Sequence, residues 1–343
     1  MKISKILVAL SLTCAVLSAI SLRAQPAAAT AVQQMQNFQQ NAEQQMPMIG
    51  LRAGTNAPEV YPGENSDIGE QHILRVIPKP TMWEAVVDSR FFFTDNATLS
   101  QKTAANPLTS SAVFVNTVSA AYAPTPYKLG DGRFAPTLGY RMQWYNYEGG
   151  PTPAGPVSLN DFNAQTFFLG AKYLMPANWQ LFGEFDYIRM VQQPDYSVEF
   201  YHEAVPSVGV QRLFQTSQNS LISASLQTDY HFGWVNNSPS DAQDRLDETF
   251  SLAYSWQPVQ RVVIQPYYRL TYTYYQFNTA HTSDRDDYLN SVGLSAAYYF
   301  TPWLALQAFA SYDARSSDDN SVGANQGYQD YNVGLDLTAT FRF

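Results

Sequence analysis

With 343 residues the chain is long enough for one large domain, and a formal net charge of -9 argues against nucleic acid as a partner. A mean hydropathy of -0.26 excludes a bundle of membrane-spanning helices, but not a barrel in which only alternate residues meet lipid. The 23 Tyr, 20 Phe and 6 Trp are the residue types of strands and of membrane interfaces.

Residues 1–24 read as a signal peptide: Lys2 and Lys5 precede an apolar stretch from Ile6 to Ile20, and Ala24 before Gln25 offers a cleavage position. Cys14, the only cysteine, lies inside that stretch, where Ser11 and Thr13 fit a lipoprotein leader poorly. Once it is removed, the mature chain has no thiol, as suits an oxidising compartment. Residues 25–80 form a Gln-rich, Pro/Gly-containing leader. Gln33 to Gln45 is dense in glutamine, with Val32, Met35 and Phe38 at three-residue spacing, before Pro47 and Gly50 interrupt any helix. Two readings stand: a periplasmic tail, or a segment that enters and plugs a barrel formed by the rest of the chain. Glu59 to Gly63 and Pro78-Lys79-Pro80 are turn chemistry leading to the first strand.

Residues 81–343 show period-two alternation in segments of about 10 residues, giving about twelve strands. Leu138, Tyr140, Met142 and Trp144 oppose Gly139, Arg141 and Gln143; Ile222 to Phe232 opposes Ser223 to His231 in the same way. The segments containing Tyr268 and Leu306 repeat the pattern. Two segments are ambiguous. Ala112 to Tyr122 has no polar face, and Val208 to Gln215 fits either parity. Tight turns at 175–178, 216–219, 257–260 and 301–302 alternate with long polar links at 94–108, 148–161, 236–247, 279–287 and 316–327. That is the rhythm of periplasmic turns and extracellular loops, and it requires an even strand number. The link from Ala123 to Gly132 is too long for a periplasmic turn. Trp83, Trp179, Trp256 and Trp303 border the short-turn side and Trp144 and Trp234 the long-link side, as an aromatic girdle would.

The sequence ends in an amphipathic strand in which Val333, Leu335, Leu337, Ala339, Phe341 and Phe343 share one face. This ending resembles the C-terminal β-signal of Gram-negative outer-membrane β-barrel proteins. The resemblance, with the signal peptide, implies an all-β fold: a transmembrane antiparallel up-and-down β-barrel in the outer membrane of a Gram-negative bacterium. It further implies outer-membrane lipid as a partner and contact with the barrel assembly machinery through the last strand. Leu335, Leu337, Phe341 and Phe343 are the assembly-signal positions. Ala339 departs from the bulkier residue common there.

On these parities the pore-lining candidates are Arg141, Lys172, Glu184, Asp186, Gln227, Asp229, His231, Arg269, Asp313, Arg315 and Asp336, and the first strand adds Glu84, Asp88 and Arg90. Such charges must meet water or one another. They line a hydrated pore or stiffen a closed barrel, and about twelve strands lies between the filled and the open sizes. The favoured function is a porin-like outer-membrane channel for passive passage of small hydrophilic solutes. The alternative is a closed structural or interaction barrel presenting extracellular loops. A homo-oligomer is compatible with either.

An autotransporter translocator is disfavoured by the short leader. A hydrolase is disfavoured because no His-x-Ser-Asn-Gly motif of outer-membrane phospholipases occurs, and Ser225 lies about 20 Å from His231 along one strand. His231 therefore reads as a satisfied lumen residue, and the chain as a non-enzyme. Acidic clusters at Asp241, Asp244, Asp247 and Glu248, at Asp284, Asp286 and Asp287, and at Asp318 and Asp319 read as solvated outer loops rather than calcium sites. No cofactor or metal pattern is expected.

Overall fold

The computed structural model describes Met35 and residues 82–99, 109–149, 161–193, 199–235, 244–275, 285–318 and 327–343, with residues 151–152, 155–156 and 238–239. The expected signal peptide, Val32, Phe38 and the turn motifs before the first strand lie outside the described residues.

Twelve long strands form one closed antiparallel barrel. They are β1 Trp83–Thr94, β2 Ser111–Tyr122, β3 Gly132–Glu148, β4 Phe162–Leu174, β5 Trp179–Gln192, β6 Glu199–Ser217, β7 Ser220–Val235, β8 Arg245–Val259, β9 Val262–Tyr275, β10 Arg285–Thr301, β11 Leu304–Ser317 and β12 Tyr328–Arg342. Each strand pairs with its neighbours in sequence. β12 pairs with β1 from Glu84↔Arg342 to Thr94↔Asn332. The Trp83 and Met82 N–H groups donate to the Phe343 carbonyl at 2.9 and 3.1 Å, and the Phe343 N–H donates to Trp83 O at 3.0 Å. Closure leaves no free edge.

Alternation sorts the side chains. Outward positions carry exposed apolar residues, among them Phe91, Phe114, Val118, Leu169, Val208, Leu226, Val292 and Leu335. So large an exposed apolar surface is characteristic of a face that is covered in use. All six tryptophans stand near strand ends; Trp83, Trp179, Trp256 and Trp303 are exposed, and Trp234 stacks on His202 at 5.0 Å.

The ambiguous segments have physical explanations. On β2 the inward set runs from Val113 and Val115, both buried in an apolar cluster, to Thr117 and Ser119, while Asn116 lies outward, so polarity does not separate the two faces. On β6, Ser207, Gln211 and Leu213 point inward, while Arg212 lies outside with its guanidinium 4.9 Å from the Trp179 ring and 4.6 Å from the Phe214 ring. An inward leucine beside an outward arginine hides the parity. The long link after β2 folds back as a hairpin extension, in which Tyr127–Leu129 pairs with Phe134 to Gly132 around Gly130 at φ +58.

Four inward glycines lie under an aromatic ring of the opposing residue: Gly139 under Phe168, Gly209 under Phe182, Gly293 under Tyr267 and Gly334 under Phe92. A Cβ at Gly209 would come within 2.3 Å of the Phe182 ring and 2.7 Å of the Leu226 carbonyl. The missing side chain lets the ring lie against the sheet, which fixes register between those strands.

Candidate functional site: the barrel lumen

The interior holds a cavity of about 790 Å³. It runs from Glu84, Gln180 and Leu221 near the short-turn end to Val115, Tyr145, Ile188 and Val205 deeper in. Of the residues expected to line a pore, Arg141, Lys172, Glu184, Asp186, Gln227, Asp229, His231 and Asp336 border this cavity, together with Glu84, Asp88 and Arg90. Arg269, Asp313 and Arg315 also point inward and are buried, but they stand outside it, engaged with neighbours. One Arg269 terminal nitrogen donates to Ser291 Oγ at 3.2 Å, Asp313 accepts from Asn332 Nδ2 at 3.3 Å, and Arg315 lies 3.7 Å from Asp287 and over the Tyr328 ring.

Charges in this interior meet one another. Across the β1–β12 seam, Arg90 pairs with Asp336 at 2.7 Å, Thr338 Oγ1 donates to Asp88 Oδ2 at 3.0 Å, and Thr94 Oγ1 donates to Asp330 at 2.6 Å. A second knot joins β6, β7 and β8. The His231 ring lies between Glu203 Oε2, 3.1 Å from Nδ1, and Asp247 Oδ2, 3.2 Å from Nε2. Arg245 Nε donates to Asp247 at 3.2 Å, and Tyr201 OH donates to Glu203 Oε2 at 2.7 Å. All five residues are buried. His231 Nδ1 also lies 3.2 Å from an Arg245 terminal nitrogen, so the ring sits among charged groups.

The knot includes residues that sequence reasoning misses or misplaces. Glu203 is legible only through the alternation of Tyr201, Glu203, Val205 and Ser207. Asp247 and Glu248, expected in an acidic outer loop, lie instead on β8, with Asp247 facing inward, and Asp286 and Asp287 likewise lie on β10, with Asp287 paired with Arg285. Both corrections have one cause. The strands run 12 to 19 residues, longer than the segments of about 10 that the alternation predicts, so ladder continues where the sequence suggests loop. Of the acidic residues, Asp244 accepts from the Gly233 N–H at 2.9 Å, Asp318 from the Asp286 N–H at 2.7 Å, and Asp286 from Tyr272 OH at 2.9 Å. Asp241, Asp284 and Asp319 lie outside the described residues. Among the described residues no group of three His, Cys, Asp or Glu side chains is arranged to hold a metal.

Toward the long-link end, β1–β5 turn a largely apolar face inward. Phe92, Val113, Val115, Tyr145, Tyr147, Phe162, Ala164, Ile188 and Met190 form a buried cluster, with Tyr145 stacked on Phe162 at 4.4 Å. Met35, from the leader, belongs to it and is 0% exposed.

No protein-family model and no curated protein matches the sequence. Among solved structures the chain is similar to an outer-membrane channel from Pseudomonas putida F1, with 13% identity, a TM-score of 0.51, and coverage of 77% of this chain and 96% of that one. It is also similar to the β domain of the Bordetella autotransporter BrkA (15% identity, TM-score 0.40, 75% and 99% covered) and to the KdgM porin (10%, 0.38, 73% and 97%). At such identity the likeness to the Pseudomonas channel is one of fold alone. The chain is a closed twelve-stranded antiparallel barrel, and the likeness to that channel is one of architecture.

Proposed function

We propose that the protein is an outer-membrane channel for small hydrophilic solutes, sitting in the outer membrane of a Gram-negative bacterium. The observation that carries this reading is a cavity of about 790 Å³, lined by charged and hydroxyl side chains, inside a wall whose outside is apolar. Polar lumen and greasy exterior are the arrangement in which water and solutes cross while lipid seals the outside. Carboxylates at Glu84, Asp88, Glu184, Asp186, Asp229 and Asp336 line the cavity against the permanent cations Arg90, Arg141 and Lys172. The excess favours cations weakly. The outward apolar face of β12, with Leu335, Leu337, Phe341 and Phe343 exposed, is the surface we assign to the barrel assembly machinery. Planar-bilayer recordings of the purified protein test the reading: discrete conductance steps with a small reversal potential toward cations are expected, and a folded barrel that never conducts would refute it.

A second reading has its own observation. The Glu203–His231–Arg245–Asp247 knot and the Arg90–Asp336 pair tie neighbouring strands together inside β6–β8 and at the seam, as they would in a barrel that works as a rigid scaffold for its outer links. A silent bilayer with protease-sensitive outer links would favour it.

A further inference from the structure

We propose that the apolar inner wall is a docking site for the protein's own leader, and that the segment carrying Met35 lies inside the barrel as an internal plug. The wall is anomalous for a lumen. Inward residues of a water-filled barrel are polar, yet Val113, Tyr145 and Met190 point inward and are 0% exposed. Inward apolar side chains with no access to water have something over them. Met35 is part of that cover, since it is itself 0% exposed and belongs to the same cluster.

The segment's chemistry suits the place. Gln33, Gln34, Gln36 and Asn37 surround Met35 in sequence, so an apolar anchor is carried among uncharged hydrogen-bonding groups. Toward the long-link end the lumen has a largely apolar wall on β1–β5, and buried carboxylates, His231 and Arg245 on β6–β8. An uncharged amide can face that second wall without unbalancing its ion pairs, because it both donates and accepts. Reach is ample. The 46 residues between Met35 and Met82 could span roughly 150 Å fully extended, several times the height of the barrel. The cavity meets the cluster at Val115, Tyr145, Ile188 and Val205, so a segment seated there stands across the solute path.

The competing occupant is an outer link, because Ala97 from the link after β1 joins the same cluster. The test separates the two. Val113→Cys is placed in the full chain with Cys14→Ser and in a variant that also lacks residues 26–78, and each folded barrel, verified by heat-modifiable migration, is treated with a charged thiol reagent. Slow labelling in the full chain and fast labelling after the deletion are expected; slow labelling in both would assign the cover to the outer links and overturn the proposal. In the full chain, a short bis-maleimide should join Met35→Cys to Val113→Cys but not to the outward Val118→Cys. Failure of the first pair, while an opposed pair such as Val87→Cys and Val118→Cys is joined, would equally overturn it. Both arms read docking whether or not the barrel conducts, so failure of the channel reading leaves them standing. If the barrel does conduct, deleting residues 26–78 should raise single-channel conductance by about twofold or more, and an unchanged conductance counts against a plug.

Discussion

Toward the long-link end of the barrel, most of the buried inward residues of β1–β5 are apolar, among them Phe92, Val113, Val115, Tyr145, Phe162 and Ile188. At the same end, β7–β12 turn inward Asp229, His231, Asp247, Thr271, Asp287, Asp313 and Asn332. Both sets are buried and both obey the same period-two rule, yet one is held by dispersion and the other by charge-assisted hydrogen bonds. β6 joins them through Tyr201, whose ring belongs to the apolar cluster while its hydroxyl donates to Glu203. Alternation therefore decides which way a side chain points. What it meets inside is decided by the remainder of the chain, the leader included.

The contrast can be broken most sharply at the charged side. Glu203→Ala removes the carboxylate that faces both His231 and Tyr201, leaving buried cationic groups short of a partner, and should cost about 3–5 kcal/mol, read as a lower urea midpoint for the folded barrel. An intact midpoint would show that water replaces the carboxylate there. Filling the space under a ring comes next. Gly209→Val drives a Cβ into the Phe182 ring and should cost about 1–3 kcal/mol, with retarded folding in lipid vesicles as a second readout. On the apolar side, Ile188→Val removes one methylene and should cost about 0.5–1.5 kcal/mol; a cost near zero would mean that the cluster is loosely packed. The smallest effect is expected outside, where Ser89 Oγ donates to Asn116 Oδ1 at 3.0 Å on the outer surface of the barrel. A double-mutant cycle with Ser89→Ala and Asn116→Ala should return about 0.6 kcal/mol.

The sequence makes the barrel legible for a physical reason. Where the outside is lipid and the inside water, polarity reports direction, and Leu138 to Trp144 or Ile222 to Phe232 can be assigned without coordinates. The code fails where the inside is not water. Val113 and Val115 look like lipid-facing residues because their inner neighbours are as apolar as lipid. It fails again at Arg212, which lies outward among rings near the short-turn end, where a long cationic side chain can reach the interface. The interior charges are legible as a set, but their partners are not. Pairings such as Glu203 with His231, or Arg90 with Asp336 across 246 positions, are set by strand neighbourhood rather than spacing. The full length of the ladder is also hidden, because Asp247 and Asp287 sit in runs as polar as any loop.

The backbone exchange between Trp83 and Phe343 makes that part of the wall the same as every other strand pair. A ring has no intrinsic beginning. Linking residue 343 to residue 82 through a few small residues, and reopening the chain within 276–284, would preserve every register while shifting which neighbours must meet last. A circular permutant of this kind, followed as it inserts into vesicles, would tell whether the order in which the hoop is stitched together matters or only its final circumference.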